Sequence, residues 1–213
     1  MTGTAHSRAT TASRVRTTGT SRLGRPLVIL LTTAWTAAAS VACAWMLAAH
    51  VLTLPVPDPG DPGLAEGVRS SAVGARWTVL HALSSECRCS GRVLDQLFAT
   101  ARPAGLTEVI LLVGPTGDIP SRAAAHGFRF ESLTAQELTD RYSIPAVPLL
   151  VVADPAGIVR YSGGYTARKQ GPQIEDLDVI AALREGRDIS ELPLYGCPVN
   201  TALKASIDPI GIR

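Results

Sequence analysis

The chain has 213 residues, of which 46% are hydrophobic and only 5% aromatic, and its formal net charge is +2. This length allows one domain with a sizeable aliphatic core and a tail, but not two ordinary domains. The five arginines before Pro26 come without an acidic residue, so the remainder is mildly acidic and argues against nucleic acid as a partner. Four cysteines in a chain of this size also exclude a disulfide-stapled mini-protein.

An uncharged, mostly apolar stretch runs from Pro26 to Pro57. About 20 such residues are needed to cross the hydrocarbon core of a bilayer, so we predict a transmembrane helix over 26–54. The arginine-rich tail before it, 1–25, is predicted to be disordered. Because positive charge precedes the segment and two aspartates follow it, we expect a single-pass protein of the cell membrane, with a cytoplasmic N-terminus and a periplasmic or otherwise extracytoplasmic domain.

Three other interpretations of this stretch are a cleaved signal peptide, a buried core helix and a lipoprotein cleaved at Cys43. The apolar core of a signal peptide usually has about 7–15 residues, and this stretch is longer. It also continues well beyond Cys43. The length therefore favours the membrane anchor.

The rest of the chain alternates strand and helix patterns after a segment rich in proline and glycine. Residues 55–75 are predicted to be a stiff linker, 76–190 a domain and 191–213 a C-terminal extension. The predicted elements are strand 77–83, helix 91–101, strand 108–113, helix 134–142 with a capping box, a hairpin of strands 149–153 and 158–161, and helix 174–184. The order β-α-β-α-β-β-α predicts an α/β domain with a mixed sheet covered by helices on both faces.

Two cysteines lie in the polar segment Ser85-Glu86-Cys87-Arg88-Cys89-Ser90-Gly91, between the first strand and the first helix of the domain. The thiolate is the reactive form of cysteine, and the N-terminus of a helix lowers the thiol pKa. Arg88 is expected to lower the pKa of Cys87 further, and Glu86 to raise it. Two cysteines in a polar turn favour a redox or metal-binding role over an inert buried thiol.

A second segment, Tyr142-Ser-Ile144-Pro-Ala-Val147-Pro148-Leu149, lies between a helix and the hairpin. Together the two segments resemble the thioredoxin superfamily, in which a strand ends in a cysteine motif at a helix N-terminus and a cis-proline begins the strand opposite it. The resemblance covers 77–184. The anchor and the long intervening segment are similar to the membrane-tethered TlpA/ResA-type branch, and the Cys-x-Cys motif is similar to that of uncharacterised bacterial thioredoxin-like proteins.

The resemblance implies a thioredoxin-like mixed sheet flanked by helices and preceded by one transmembrane helix. It implies that Cys87 is the nucleophile and that the Val147–Pro148 bond is cis. It also implies that Val147 offers its backbone N–H and C=O groups to an extended substrate chain by strand addition. Pro145 competes for the cis position and fits the pattern less well.

The cysteine that resolves a mixed disulfide at Cys87 is left open by the sequence. Ser90 stands where the family has its resolving cysteine, and Cys89 takes a position usually given to proline. A Cys87–Cys89 disulfide closes a strained ring. Cys197 is the other candidate, and a further alternative is that Cys87 acts alone. Because Pro198 follows Cys197, we predict that Cys197 caps a C-terminal helix, with a packing role as the alternative.

The predicted function is a membrane-tethered thiol–disulfide oxidoreductase that needs no metal or other cofactor. Its expected partners are protein thiols or disulfides, a redox partner protein and the membrane, and no nucleic acid. One alternative is a copper chaperone in which Cys87 and Cys89 join His81 or His126, although His81 is expected in the core and His126 at a helix C-terminus. Another alternative is a binding module that keeps only the groove for strand addition.

Overall fold

The computed structural model describes residues 24–169 and 171–207 and divides the chain into two units, 1–50 and 51–213. Helix α1 (Gly24–Val51) lies in the first unit except for its last residue. Its first 24 residues have a mean hydropathy of 1.9 and none is buried, so the helix is long and apolar enough to cross a bilayer. A signal sequence has the same two properties. The predicted disordered tail lies outside the described residues, except that its last two residues begin α1.

The second unit is built on a five-stranded mixed sheet with the strand order β3-β2-β1-β5-β6. Strands β1, β2 and β3 are parallel, and β5 is antiparallel to both β1 and β6. A separate antiparallel ladder joins β4 to β7. The elements are α2 (Pro62–Ser71), β1 (Trp77–Ser84), α3 (Arg88–Ala99), β2 (Leu106–Val113), α4 (Ile119–Ala125), β3 (Arg129–Leu133), α5 (Ala135–Tyr142), β4 (Ala146–Val147), β5 (Leu149–Ala153), β6 (Val159–Gly163), α6 (Asp176–Arg184), β7 (Cys197–Pro198) and α7 (Thr201–Ile207).

This arrangement confirms the predicted fold class, a thioredoxin-like mixed sheet flanked by helices. Every residue of the central strand β1 after Trp77 is buried. Because successive side chains of a strand point to opposite faces of the sheet, both faces are covered at β1. Leu80 and Ala82 join a core formed with α2 and α5. Val79 and Leu83 join a second core formed with α3, α4 and α6. The sheet therefore separates two apolar cores.

Two local motifs that the sequence predicted are confirmed. In the capping box of α5, the hydroxyl oxygen of Thr134 accepts the N–H of Glu137 at 3.1 Å, and the Glu137 carboxylate accepts the N–H of Thr134 at 2.7 Å. In the β5–β6 turn, the Asp154 carboxylate accepts the N–H groups of Ala156 and Ile158 at 2.9 and 3.0 Å. Both motifs depend only on residues close in sequence, which is why they were predictable.

The prediction of a linker over 55–75 is wrong for residues 62–71, which form α2. Asp61 caps this helix by accepting the N–H of Leu64 at 2.9 Å, and Pro62 occupies the first turn, where its missing N–H costs nothing. Leu64 is fully buried against α5. At Gly67 a Cβ atom would overlap the ring of Tyr142, so this glycine permits the close approach of the two helices.

Two further boundaries differ from the prediction. Helix α1 ends at Val51, and Leu54 instead donates its N–H to the carbonyl of Leu194 at 2.9 Å within the second unit. Strand β3 was not predicted, and α4 was anticipated only through the expected position of His126 at a helix C-terminus. Helix α4 has only seven residues, and β3 is an edge strand whose residues are mostly half-buried or exposed, so neither carries a strong apolar pattern.

Candidate active site

Cys87 lies at the junction of β1 and α3 and caps the N-terminus of the helix. Its N–H donates to the carbonyl of Ser84 at 3.1 Å, and its carbonyl accepts the N–H of Gly91 at 3.0 Å. The side chain is only 2% exposed and belongs to the core beside α2 and α5. The predicted position of Cys87 at a helix N-terminus is therefore confirmed, and the partial positive charge of the helix end favours its thiolate.

The thiols of Cys87, Cys89 and Cys197 meet at this helix end, and none of the three is bridged. Hydrogen bonds from the thiols of Cys197 and Cys89 hold the pKa of Cys87 far below its ordinary value, although burial acts to raise it. The backbone and side chain of Ser90 add two further hydrogen bonds. From the sequence we expected the helix N-terminus and Arg88 to lower the pKa of Cys87. In the structure the thiols of Cys197 and Cys89 are the main cause.

Cys89 and Cys197 are the donors in these hydrogen bonds, and both are half-buried. The pKa of each thiol is raised well above its ordinary value. The largest cause is the hydrogen bond to the Cys87 thiolate, and burial is the second. At Cys89 the positive charges of Arg92 and Lys169 oppose this increase. The cluster therefore contains one stabilised thiolate, that of Cys87, and two protonated thiols.

Cys197 does not cap a helix, so that prediction is wrong. It lies in β7, where its backbone pairs with Val147 of β4. Helix α7 begins four residues later, and its cap is Asn200, whose side-chain oxygen accepts the N–H groups of Ala202 and Leu203 at 2.9 and 3.1 Å. A proline after Cys197 was compatible with either conformation, and the pairing with a distant strand decided between them.

The Val147–Pro148 bond is cis, as predicted, and the Ile144–Pro145 bond is not. The carbonyl oxygen of Val147 lies 3.9 Å from the sulfur of Cys87. A cavity of about 30 Å³ lies beside Pro148 and Cys89 and is also lined by the aromatic side chains of Tyr165 and Tyr195. The structure thus brings Cys87, Cys89, Cys197, Val147 and Pro148 together in one place.

Ser90 also belongs to this site, and the sequence did not indicate its structural role. It is fully buried, and its hydroxyl oxygen accepts the N–H of Ser84 at 3.1 Å, which ties the end of β1 to the first turn of α3. The same side chain contributes to the low pKa of Cys87. The available signal was its position, since it stands where the superfamily that the sequence resembles has its resolving cysteine.

The two histidines considered for a metal site lie elsewhere. His81 is buried on the opposite face of the sheet, with Tyr165 at 2.9 Å and Glu108 at 3.3 Å from its ring nitrogens. His126 caps the C-terminus of α4 and packs on Phe98 at 5.3 Å between ring centroids. Within 24–169 and 171–207, no three His, Cys, Asp or Glu side chains are placed to bind a metal ion. The copper-chaperone alternative therefore lacks its histidine.

Comparison with known proteins gives structural neighbours only. No protein-family model and no curated protein sequence matches the chain. An uncharacterized conserved protein from Geobacillus kaustophilus is 19% identical, with 59% of this chain and 77% of that chain covered and a TM-score of 0.48. A thioredoxin-like protein in the oxidized form is 23% identical, with 55% and 84% covered and a TM-score of 0.42. A secreted Mycobacterium tuberculosis disulfide oxidoreductase homologous to Escherichia coli DsbE is 14% identical, with 53% and 83% covered and a TM-score of 0.39. Similarity at this level concerns the fold, and no activity is transferred from it.

Proposed function

We propose that this chain is a membrane-anchored, extracytoplasmic thiol–disulfide oxidoreductase whose nucleophile is Cys87. The observation that supports it is the meeting of three thiols at the N-terminus of α3, where two of them donate hydrogen bonds to Cys87. Because the pKa of Cys87 is far below its ordinary value, this thiol is ionised at neutral pH. A thiolate of low pKa is also a good leaving group in disulfide exchange.

The stabilised thiolate also favours one direction of electron flow. The Cys87 thiolate exists only in the reduced protein, whereas an ordinary thiol is protonated at neutral pH. The hydrogen bonds to this thiolate therefore stabilise the reduced protein relative to the disulfide form. The disulfide form is consequently a strong oxidant. The high pKa values of Cys89 and Cys197 do not offset this, because both thiols are protonated at neutral pH in any case.

The proposed reaction converts two substrate thiols into one disulfide. A substrate thiolate attacks the sulfur of Cys87 in a Cys87–Cys197 disulfide, the bond between these two cysteines breaks, and Cys197 takes up the electron pair and a proton. The second substrate thiolate then attacks the substrate sulfur in the mixed disulfide and expels the Cys87 thiolate. Two electrons pass from the substrate to the protein, and the disulfide of a redox partner protein reoxidises the two cysteines.

Cys197 is the better candidate for the partner of Cys87 in this disulfide. The alternative Cys87–Cys89 disulfide closes a small, strained ring, because only one residue separates the two cysteines. The main cause of the high pKa of Cys197 is its hydrogen bond to the Cys87 thiolate. That cause disappears when Cys87 forms a mixed disulfide with the redox partner protein. Cys197 is then more easily ionised, and its thiolate attacks Cys87, expels the partner's thiolate and restores the Cys87–Cys197 disulfide.

A redox titration of the full chain in detergent tests this proposal. We expect one disulfide that joins Cys87 to Cys197, found by peptide mapping, with a reduction potential less negative than about −200 mV. A Cys43→Ser variant serves as the control and should titrate identically, because Cys43 lies in α1. If the oxidised protein contains no disulfide involving Cys87, the proposed activity is refuted.

The topology is tested separately with reporter fusions. Alkaline phosphatase, which is active only after export, should be active when fused after Arg213, and a reporter that needs the cytoplasm should be inactive there. This expectation rests on the arginine-rich segment before the apolar helix. Activity of the cytoplasmic reporter would place the domain on the other side of the membrane.

A further inference from the structure

The short strand β4 is already paired with another part of the same chain. In its ladder with β7, Ala146 pairs with Pro198 and Val147 pairs with Cys197. The N–H groups of Val199 and Asn200 both donate to the carbonyl of Pro145, at 2.9 and 3.1 Å. The backbone edge beside Cys87, which an extended substrate would use for strand addition, is therefore occupied by residues 195–200, here called the tail strand.

The tail strand approaches this edge more closely than a side chain would allow. A Cβ atom at Gly196 would overlap the carbonyl oxygen of Val147 and lie 2.6 Å from Cδ of Pro148. Backbone therefore packs directly on backbone at the position before Cys197. Only glycine fits there while Cys197 keeps its pairing with Val147.

The tail strand is held firmly at one end and weakly at the other. Before it, Leu194 is fully buried and its carbonyl accepts the N–H of Leu54 at 2.9 Å. After it, α7 has no buried residue, and only Leu203 and Ile207 pack partly against the core. Within the described residues no fully buried side chain follows Leu194, and Cys197 and Val199 of the tail strand pack only partly against the core.

We propose that the tail strand is an internal substrate strand, which holds Cys197 where the reacting cysteine of a protein substrate binds and is displaced when such a substrate reacts with Cys87. The substrate class follows from the same geometry: an extended segment, antiparallel to β4, with glycine immediately before its cysteine. This inference rests on the proposed function. When a substrate thiolate attacks Cys87 of the Cys87–Cys197 disulfide, that bond breaks, Cys197 is released as a thiol, and the substrate segment takes the place of the tail strand.

The alkylation rate of Cys87 in a glycine variant measures the displacement. In the reduced full chain in detergent, Cys87 should be alkylated by iodoacetamide at least about tenfold faster in Gly196→Ala than in the wild type, because the rate follows the fraction of chains whose tail strand is off β4. Measurement near pH 9 keeps ionisation of Cys87 nearly complete even if a hydrogen bond is lost. Ser121→Ala, at an exposed position of α4 outside the thiol cluster, is the control and should be alkylated at the wild-type rate.

Peptides test the substrate class on the wild-type chain, so the proposal does not depend on the folding of a variant. The peptide Leu-Tyr-Gly-Cys-Pro-Val-Asn, as its mixed disulfide with glutathione, should react with Cys87 at least about tenfold faster than the same peptide with alanine in place of glycine. Oxidised glutathione, which has no glycine before its cysteine, measures the intrinsic reactivity. If Cys87 reacts with oxidised glutathione but neither Gly196→Ala nor the glycine peptide gives an increase, the internal substrate strand is refuted and the proposed function stands. If Cys87 does not react with oxidised glutathione, the proposed function itself fails.

Discussion

Replacing Cys87 with serine should reduce disulfide formation in a two-cysteine substrate peptide by at least about a thousandfold, because a serine hydroxyl is not ionised at neutral pH and forms no disulfide. The preoxidised full chain in detergent is mixed with the reduced peptide, and the peptide disulfide is quantified by mass spectrometry. Cys43→Ser makes the same chemical change outside the thiol cluster and should retain the wild-type rate. Equal rates for Cys87→Ser and Cys43→Ser would contradict the assignment of the nucleophile.

The same assay separates the two candidate partners of Cys87. Cys197→Ser should lose most of the activity, because the remaining Cys87–Cys89 disulfide is strained and forms poorly. Cys89→Ser should keep most of it, since Cys197 still meets Cys87 across the β4–β7 ladder. The reverse order of effects would assign the redox pair to Cys87 and Cys89 and leave Cys197 with a structural part.

Replacing Arg102 with methionine should lower the free energy of unfolding by about 3–5 kcal/mol, the cost of leaving buried carboxylates without their cation. Arg102 is 9% exposed and contacts Glu108 through hydrogen bonds of 2.6 and 3.1 Å. Its other terminal nitrogen lies 2.7 Å from the carboxylate of Asp176, close in distance but poorly aligned for a hydrogen bond. Both acidic side chains are almost completely buried.

Urea unfolding of the full chain in detergent measures this loss, and Arg160→Met provides the matched control. Arg160 pairs with Asp154 at 2.7 Å, but the arginine side chain is 49% exposed, so its removal should cost less than about 1 kcal/mol. A cost at Arg102 as small as that at Arg160 would mean that water reaches the buried carboxylates.

The pH dependence of the Arg102→Met effect has a definite sign. Burial raises the pKa of Glu108, but hydrogen bonds from His81 and Arg102 outweigh it and hold the pKa at about 2, below the ordinary value of 4.5. A lowered pKa contributes stability that is complete above the ordinary value and is lost as the pH falls through about 2. The difference in stability between the wild type and Arg102→Met should therefore narrow as the pH falls through this range.

Much of the fold was predictable because it depends on short-range patterns. The apolar run that became α1, the capping box at Thr134 and the turn at Asp154 are all set by residues within a few positions of one another. The burial of β1 and β2 on both faces follows from their mostly apolar sequences. Cys87 was placed correctly for the same reason, since a strand, a polar turn and a helical pattern follow each other directly there.

Sequence patterns did not predict packed elements that contain proline and glycine or that mix polar and apolar residues. The segment before the domain looked like a linker because of its prolines, yet Asp61 and Pro62 begin α2 and Leu64 anchors it. Among the described strands β3 pairs with β2 alone, at the sheet edge, so its residues did not need to be uniformly apolar. In both cases contacts with distant elements outweighed the local composition.

The sequence by itself determined that an apolar helix precedes a thioredoxin-like α/β domain, and that Cys87 begins a helix after the central strand. Those features depend on hydrophobic periodicity and capping, which are local. Only the tertiary structure decided that Cys197 meets Cys87, that β7 covers β4, and that His81 lies on the opposite face of the sheet. The physical reason is that strand pairing and sheet face depend on register between segments far apart in the chain, and a shift of one residue would turn every side chain to the other face.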